Sequence, residues 1–414
     1  MKLRMLATIA ASLGTLGTVI AMTAPAASAA VPVRGTYTPV DPVRVLDTRD
    51  GTGVAGQHPG PLGAGTVTEL VVTGANGVPD VGVGAVTLNV TATQSQGPGY
   101  LTVYPCGDIR PAASNLNYVA GVDTPNLVTS KVGVDGKVCI YSHGTTQVLG
   151  DLEGWYANDF AARPGARYTE MTPARIFDTR DGTGVIDHHS GPLGIGEVSE
   201  LQITGANGVP DDAVAVSMNV TVTEANGAGY VTVFPCGRPR PLVSNLNFLH
   251  GVDVANLVTV RIGDGGRVCF FASESTQIVA DIQGYFGPRG GVFTSVDPIR
   301  ILDTRDGTGV DGQHRGPLGD GKVVVVQVTG LNGVPADARA VALNLTITDA
   351  AGSGFASVFP CGQLLPLTSS VNFVHGVDVA NLVKTKLSVD GKVCIFTHRQ
   401  TQVVADLEGF FTAS

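Results

Sequence analysis

The sequence predicts an all-β protein: three tandem antiparallel β-sandwich domains, jelly-roll-like, with one disulfide each. Three observations lead there. A unit of about 120 residues is written three times; each copy is filled with short Val- and Thr-rich segments between Gly, Pro, Asn and Asp; and two cysteines recur at one spacing in every copy.

The repeat is easiest to see at residues 45–53, Val-Leu-Asp-Thr-Arg-Asp-Gly-Thr-Gly, which return at 176–184 with Ile-Phe and at 301–309 with Ile-Leu in place of Val-Leu. His58 then matches His189 and His314, and Cys106 matches Cys236 and Cys361. The copies run over residues 37–156, 168–286 and 293–411. Units of this size can bury their own cores, whereas solenoid repeats of roughly 20–50 residues cannot, so the reading is three domains in a row. The linkers are short and fairly stiff: 157–167 contains Arg163-Pro164-Gly165-Ala166, and 287–291 is Gly-Pro-Arg-Gly-Gly. They suggest a rod of limited bending, with Trp155-Tyr156, Tyr285-Phe286 and Phe410-Phe411 covering a domain edge or packing on the next domain.

Strand signals in the first copy fall at 43–46, 66–73, 85–93, 100–104, 114–118, 126–132, 137–141 and 146–152. In the third of these, Ala85, Thr87, Asn89 and Thr91 alternate with Val86, Leu88, Val90 and Ala92, so one face is apolar. Strand order does not follow from such patterns.

Residues 1–29 have the form of a secretory signal peptide: Lys2 and Arg4, an apolar run, then Ala27-Ser28-Ala29. The expected location is extracellular or at the cell surface, with no membrane span in the mature chain. In an oxidising compartment the six cysteines pair within repeats, as Cys106–Cys139, Cys236–Cys269 and Cys361–Cys394, the arrangement that gives every copy the same bridge. Without Lys2 and Arg4 the 26 basic residues become 24 against 35 acidic ones, a net charge of −11, which argues against a nucleic-acid partner.

Candidate binding residues recur in triplicate. Asp47, Arg49 and Asp50 match Asp178, Arg180 and Asp181, and Asp303, Arg305 and Asp306. Alternation places Asp47 and Arg49 on one face, where they form a clasp ordering the following loop, a lip for a sugar or peptide, or, more weakly, a calcium site with Asp50. Asn117, Asp123 and Asn126, with Asn247, Asp253 and Asn256, and Asn372, Asp378 and Asn381, cluster between two strands. They either line a polar groove, since amides donate and accept at once, or satisfy backbone groups in turns. No cofactor is otherwise expected. His58, Ser114 and Asp47 and their counterparts supply the residue types of a hydrolytic triad, but no Gly-x-Ser-x-Gly elbow surrounds the serine.

With Pro42-Val-Arg-Val-Leu-Asp-Thr-Arg49, Asn89-Val-Thr91, Gly99-Tyr-Leu-Thr-Val-Tyr104, Ser114-Asn-Leu-Asn117 and the closing Asp151-Leu-Glu-Gly-Trp-Tyr156, each unit resembles a domain recurring in secreted actinobacterial proteins. There it stands in tandem or is appended to extracellular peptidases and wall hydrolases. The resemblance implies an accessory, surface-associated module. The third copy departs at Ser370, where the others have Asn115 and Asn245, and the second has Phe177 for Leu46.

The function expected from these readings is a secreted, non-enzymatic binding protein that adheres to an extracellular polysaccharide or cell wall through three weak equivalent sites, linked for avidity. The alternatives are a structural spacer or surface-coat protein without a ligand pocket and, behind it, a Ser/His/Asp hydrolase.

Overall fold

The computed structural model describes residues 33–54, 59–161, 165–186, 190–310 and 315–413. The signal-peptide segment, 1–29, lies outside them, as do His58, His189 and His314. The first repeat contains β1 (Val33–Gly35), β2 (Tyr37–Asp47), β3 (Thr66–Val71), β4 (Val83–Thr93), β5 (Gly99–Pro105), β6 (Leu116–Tyr118), β7 (Thr124–Lys131), β8 (Lys137–Ser142) and β9 (Gln147–Ala157). The second contains β10 (Arg167–Asp178), β11 (Val198–Gln202), β12 (Ala215–Thr223), β13 (Gly229–Pro235), β14 (Leu246–Phe248), β15 (Val254–Arg261), β16 (Arg267–Ala272) and β17 (Gln277–Gly287). The third contains β18 (Val292–Asp303), β19 (Lys322–Gln327), β20 (Ala338–Thr348), β21 (Gly354–Pro360), β22 (Val371–Phe373), β23 (Val379–Lys386), β24 (Lys392–Thr397) and β25 (Gln402–Thr412).

Each repeat makes two small antiparallel sheets, ordered β2-β9-β4-β7 and β3-β8-β5-β6 in the first copy. Strand β4 is buried along its whole length, whereas β3 alternates exposed and buried residues, as a sheet with one wet face should. Val86, Leu88 and Val90 of β4 meet Leu101 and Val103 of β5 and Val138 and Ile140 of β8 in one apolar cluster.

The expectation of three separate tandem sandwich domains in a rod is wrong. The six sheets stand in a propeller-like ring, and residues 31–414 form one compact unit. The physical reason is a further core that no repeat could bury alone. Tyr37, Tyr156, Tyr168, Phe286, Phe293 and Phe411 come together from all three repeats. The rings of Tyr37 and Phe286, Tyr156 and Phe293, and Tyr168 and Phe411 pack with centroids 4.4 Å apart in each pair. The Gly residue two positions before each closing aromatic admits this packing. A Cβ on Gly154 would strike the Tyr37 ring and the Thr38 carbonyl, and one on Gly284 the Tyr168 ring.

Asparagines of the inner strands join the repeats in a cycle. Asn126 Nδ2 donates to Asn344 Oδ1 at 2.9 Å, Asn256 to Asn89 at 2.8 Å and Asn381 to Asn219 at 2.8 Å. Their own Oδ1 atoms accept from backbone amides of the neighbouring repeats: Leu382 N to Asn126 at 3.0 Å, Leu127 N to Asn256 at 3.2 Å and Leu257 N to Asn381 at 2.9 Å. Buried amides with every partner supplied fix one register between repeats.

The ring is closed by the chain's first strand. Ala166 bridges to Tyr37 and Gly291 to Tyr168 where the linkers run between repeats, and β1 occupies the third such place by pairing with β18 through Val33, Arg34 and Gly35. Arg34 Nη2 also donates to the Ala413 carbonyl at 3.2 Å.

Disulfides join Cys106 to Cys139, Cys236 to Cys269 and Cys361 to Cys394, each tying the end of one outer strand to its neighbour. Among the described residues no helix is long and apolar enough to cross a membrane. Three disulfides and this absence are consistent with an extracellular protein.

Candidate functional site

Antiparallel register sets Arg44 of β2 opposite Asp151 of β9. Arg44 binds both Asp151 oxygens and reaches Asp47 Oδ2 at 3.1 Å, while Arg49 grips Asp47 through Nε at 2.9 Å and Nη2 at 2.6 Å. The same arrangement recurs as Arg175, Asp281, Asp178 and Arg180, and as Arg300, Asp406, Asp303 and Arg305. Burial works to raise the Asp47 carboxyl, but the Arg49 hydrogen bonds and the two guanidinium charges hold it below the usual carboxylate range. Burial prevails at Asp151, raising it to about 6 against the pull of Arg44.

The Asp47–Arg49 pair is thus a clasp. Asp47 already holds two guanidinium groups, which stand where the weaker expectation put a calcium ion. Asp50, Asp181 and Asp306 are exposed and accept from the backbone amides of Thr52, Thr183 and Thr308, each at 2.9 Å, as turn-forming aspartates do. The one metal-like cluster among the described residues, Glu200 with Cys236 and Cys269, has both sulfurs in a disulfide.

The expected groove of amides inside each repeat divides into two. Asn126, Asn256 and Asn381 lie in the buried inter-repeat cycle and face no solvent. Asn247 and Asn372 instead line clefts between repeats. The first cleft, about 590 Å³, has Arg44, Arg49, Thr93 and Asp123 from the first repeat on one wall and Tyr230, Arg240, Leu242 and Asn247 from the second on the other. Asp123 is steadied by Thr93 Oγ1 at 2.6 Å. The second cleft, about 350 Å³, repeats the plan with Arg175, Arg180, Thr221 and Asp253 against Phe355, Leu367, Asn372 and Phe396. At the third junction, where Asn344 Nδ2 donates to the Ser114 carbonyl at 2.7 Å, the corresponding residues are Arg300, Arg305 and Asp378 from the third repeat, and Tyr100, Tyr141 and Asn117 from the first.

Within the second cleft, Thr221 Oγ1 and Asn372 Oδ1 are buried polar atoms that find no partner in the protein. Thr91 Oγ1, Thr346 Oγ1 and Asn247 Oδ1, their counterparts elsewhere, are likewise without partners. Beside them stand half-exposed aromatic pairs on adjacent outer strands: Tyr100 with Tyr141, Tyr230 with Phe271 and Phe355 with Phe396, their centroids 5.9–6.0 Å apart. Sequence reasoning missed Arg44, Thr221 and these aromatics. Their recurrence in all three copies was the available signal, but nothing in one repeat shows that its wall belongs to the next repeat's cleft. Of the residues of the triad expectation, Asp178 is clasped by Arg180, and the three histidines lie outside the described residues.

No protein-family model and no curated protein matches the chain. Two solved structures resemble it over its length, one described under "The Triple Jelly Roll Fold and Turret Assembly in an Archaeal Virus" and one under "Life in the extremes: atomic structure of Sulfolobus Turreted Icosahedral Virus". They are 9% and 10% identical, each alignment covers 91% or 92% of both chains, and the TM-score is 0.17 in both cases, too low to relate the folds.

Proposed function

We propose that this protein is a non-enzymatic binding module whose inter-repeat clefts take hydroxyl-rich saccharide units of an extracellular polysaccharide or cell wall. The observation that carries the reading is the lining of the second cleft, where the half-buried Asn372 stands beside the Phe355–Phe396 platform. A carboxamide donates and accepts at once, which matches the vicinal hydroxyls of a sugar. The flat aromatic pair offers an apolar face for the C–H side of a sugar ring. Three junctions on one ring would add modest affinities together on a repeating polymer.

The test is co-sedimentation of residues 30–414 with purified bacterial cell wall, alongside calorimetry with soluble oligosaccharides. Replacing Asn117, Asn247 and Asn372 together by alanine should lower affinity on the order of ten-fold or more, with the melting temperature little changed. Binding that persists unaltered in this variant, or no saccharide binding by the parent chain, would overturn the reading.

A further inference from the structure

We infer that the saccharide taken by these clefts carries an anionic group, carboxylate or phosphate, gripped by Arg240 at the first junction and Arg110 at the third. This rests on the cleft reading above and narrows its ligand.

Arg240 lines the first cleft. Its guanidinium carbon sits 3.9 Å over the centroid of Phe271, and its one polar partner among the described residues is Tyr230 Oη at 3.5 Å. Arg110 occupies the matching position in the first repeat, 3.7 Å over Tyr141. Neither forms an ion pair among the described residues, although the chain has 35 acidic side chains against 26 basic ones. The other cleft arginines, Arg44 and Arg49 with their counterparts, are all bound to aspartates.

Stacking on a ring holds the guanidinium plane in place while leaving its edge donors free. Such a group loses little freedom on forming a two-pronged hydrogen bond with a carboxylate or phosphate. The third repeat has Leu365 at this position, so the cleft it completes with the second repeat has an aromatic platform and no stacked cation. That cleft is also tied more closely, because Arg175 Nη2 donates to the Leu367 carbonyl at 3.1 Å across the junction. The junctions therefore differ: the first and third carry a stacked cation suited to an acidic sugar, and the second suits a neutral one.

Calorimetry on residues 30–414 with polygalacturonate, its fully methyl-esterified form and poly(glycerol phosphate) separates the possibilities. The acidic polymer should bind about ten-fold more tightly than the ester, and the preferred arm identifies carboxylate or phosphate as the group. Arg110→Gln with Arg240→Gln should erase that preference, bringing the affinity for the acidic polymer down to that for the ester, and Leu365→Arg should strengthen acid binding about two- to three-fold by adding a third site. Equal affinity for acid and ester, or an acid preference retained by the double variant, overturns the inference. If ester binding is lost in the Asn117, Asn247 and Asn372 variant while the arginine changes do nothing, the anionic group alone is refuted; if no polymer binds, the cleft reading falls with it.

Discussion

Lys384 of the third repeat stands where Thr129 and Thr259 stand in the other two, fully buried, and its ammonium faces Glu153 and Glu408 while donating to Thr259 Oγ1 at 2.9 Å. The threefold pattern is broken a second time nearby. Asn115 donates to Glu408 and Asn245 to Glu153, each at 2.8 Å, but the corresponding residues of the remaining junction are Ser370 and Gln283. Strict repetition would put three buried carboxylates on the axis with no cation. Gln283 removes one charge and Lys384 opposes the others, which gives the Ser370 departure a physical reason.

The first expectation concerns pH. Burial raises Glu153 and Glu408 from 4.5 to about 8, and lowers Lys384 from 10.5 to about 7. Between pH 4.5 and 8 each folded glutamate keeps a proton that the unfolded chain has released, so each makes stability fall as pH rises. Lys384 opposes this only above about pH 7, where the unfolded chain holds the proton more firmly. The lowered Asp47, Asp178 and Asp303 lose their contribution only below the ordinary carboxylate range. The melting temperature should therefore be higher at pH 5 than at pH 8, and Glu153→Gln with Glu408→Gln should reduce the fall to the part left by the raised Asp151, Asp281 and Asp406. A flat profile for the parent chain would contradict the axial arrangement.

A single repeat should not persist as a folded monomer. Residues 33–166 alone leave Tyr37, Tyr156 and Asn126 without the neighbours that bury them, yet they also carry the complementary surface, including Asn89 and Asn115. Light scattering should find a trimer. Its axis would hold three copies of Glu153 and no Lys384, so assembly should be stronger at pH 5 than at pH 8. A stable monomer at both pH values would show that the ring core is dispensable.

Reducing the three disulfides should lower stability without abolishing the ring. Each bridge closes a 33-residue loop, worth roughly 3–4 kcal/mol on the chain-entropy model, but β5 and β8 are already paired beside it. The check is thermal unfolding with and without a strong reductant. An unchanged melt would mean the bridges contribute nothing.

Gly154→Ala should destabilise by roughly 1–3 kcal/mol, because the added methyl meets the Tyr37 ring and backbone. Gly97→Ala, where a Cβ meets nothing within 4 Å, serves as the control in the same denaturant titration.

Local structure was legible where a residue's neighbours lie in its own repeat. The alternation from Ala85 to Ala92 marks β4, and the cysteine spacing marks the bridges. The architecture was not legible, because Ala85, Thr87, Asn89 and Thr91 read as a mixed polar face although all four are buried against other repeats or the shared core. Polarity alone does not separate a wet face from an interface satisfied by asparagines. The clefts were hidden for a related reason. Arg49 and Asp123 come from one copy and Asn247 from the next, and three near-identical copies leave that pairing undetermined by sequence.

The closure by β1 makes the covalent order of the repeats incidental to the finished assembly. With Arg34 against Ala413, the first and last strands meet at a junction built like the two that are bridged by linkers. A circular permutant cut at residues 288–291 and joined from 413 to 33 through a short Gly-Ser linker that passes the end of β18 should retain the strand pairings, since the ring has a seam and no privileged starting point.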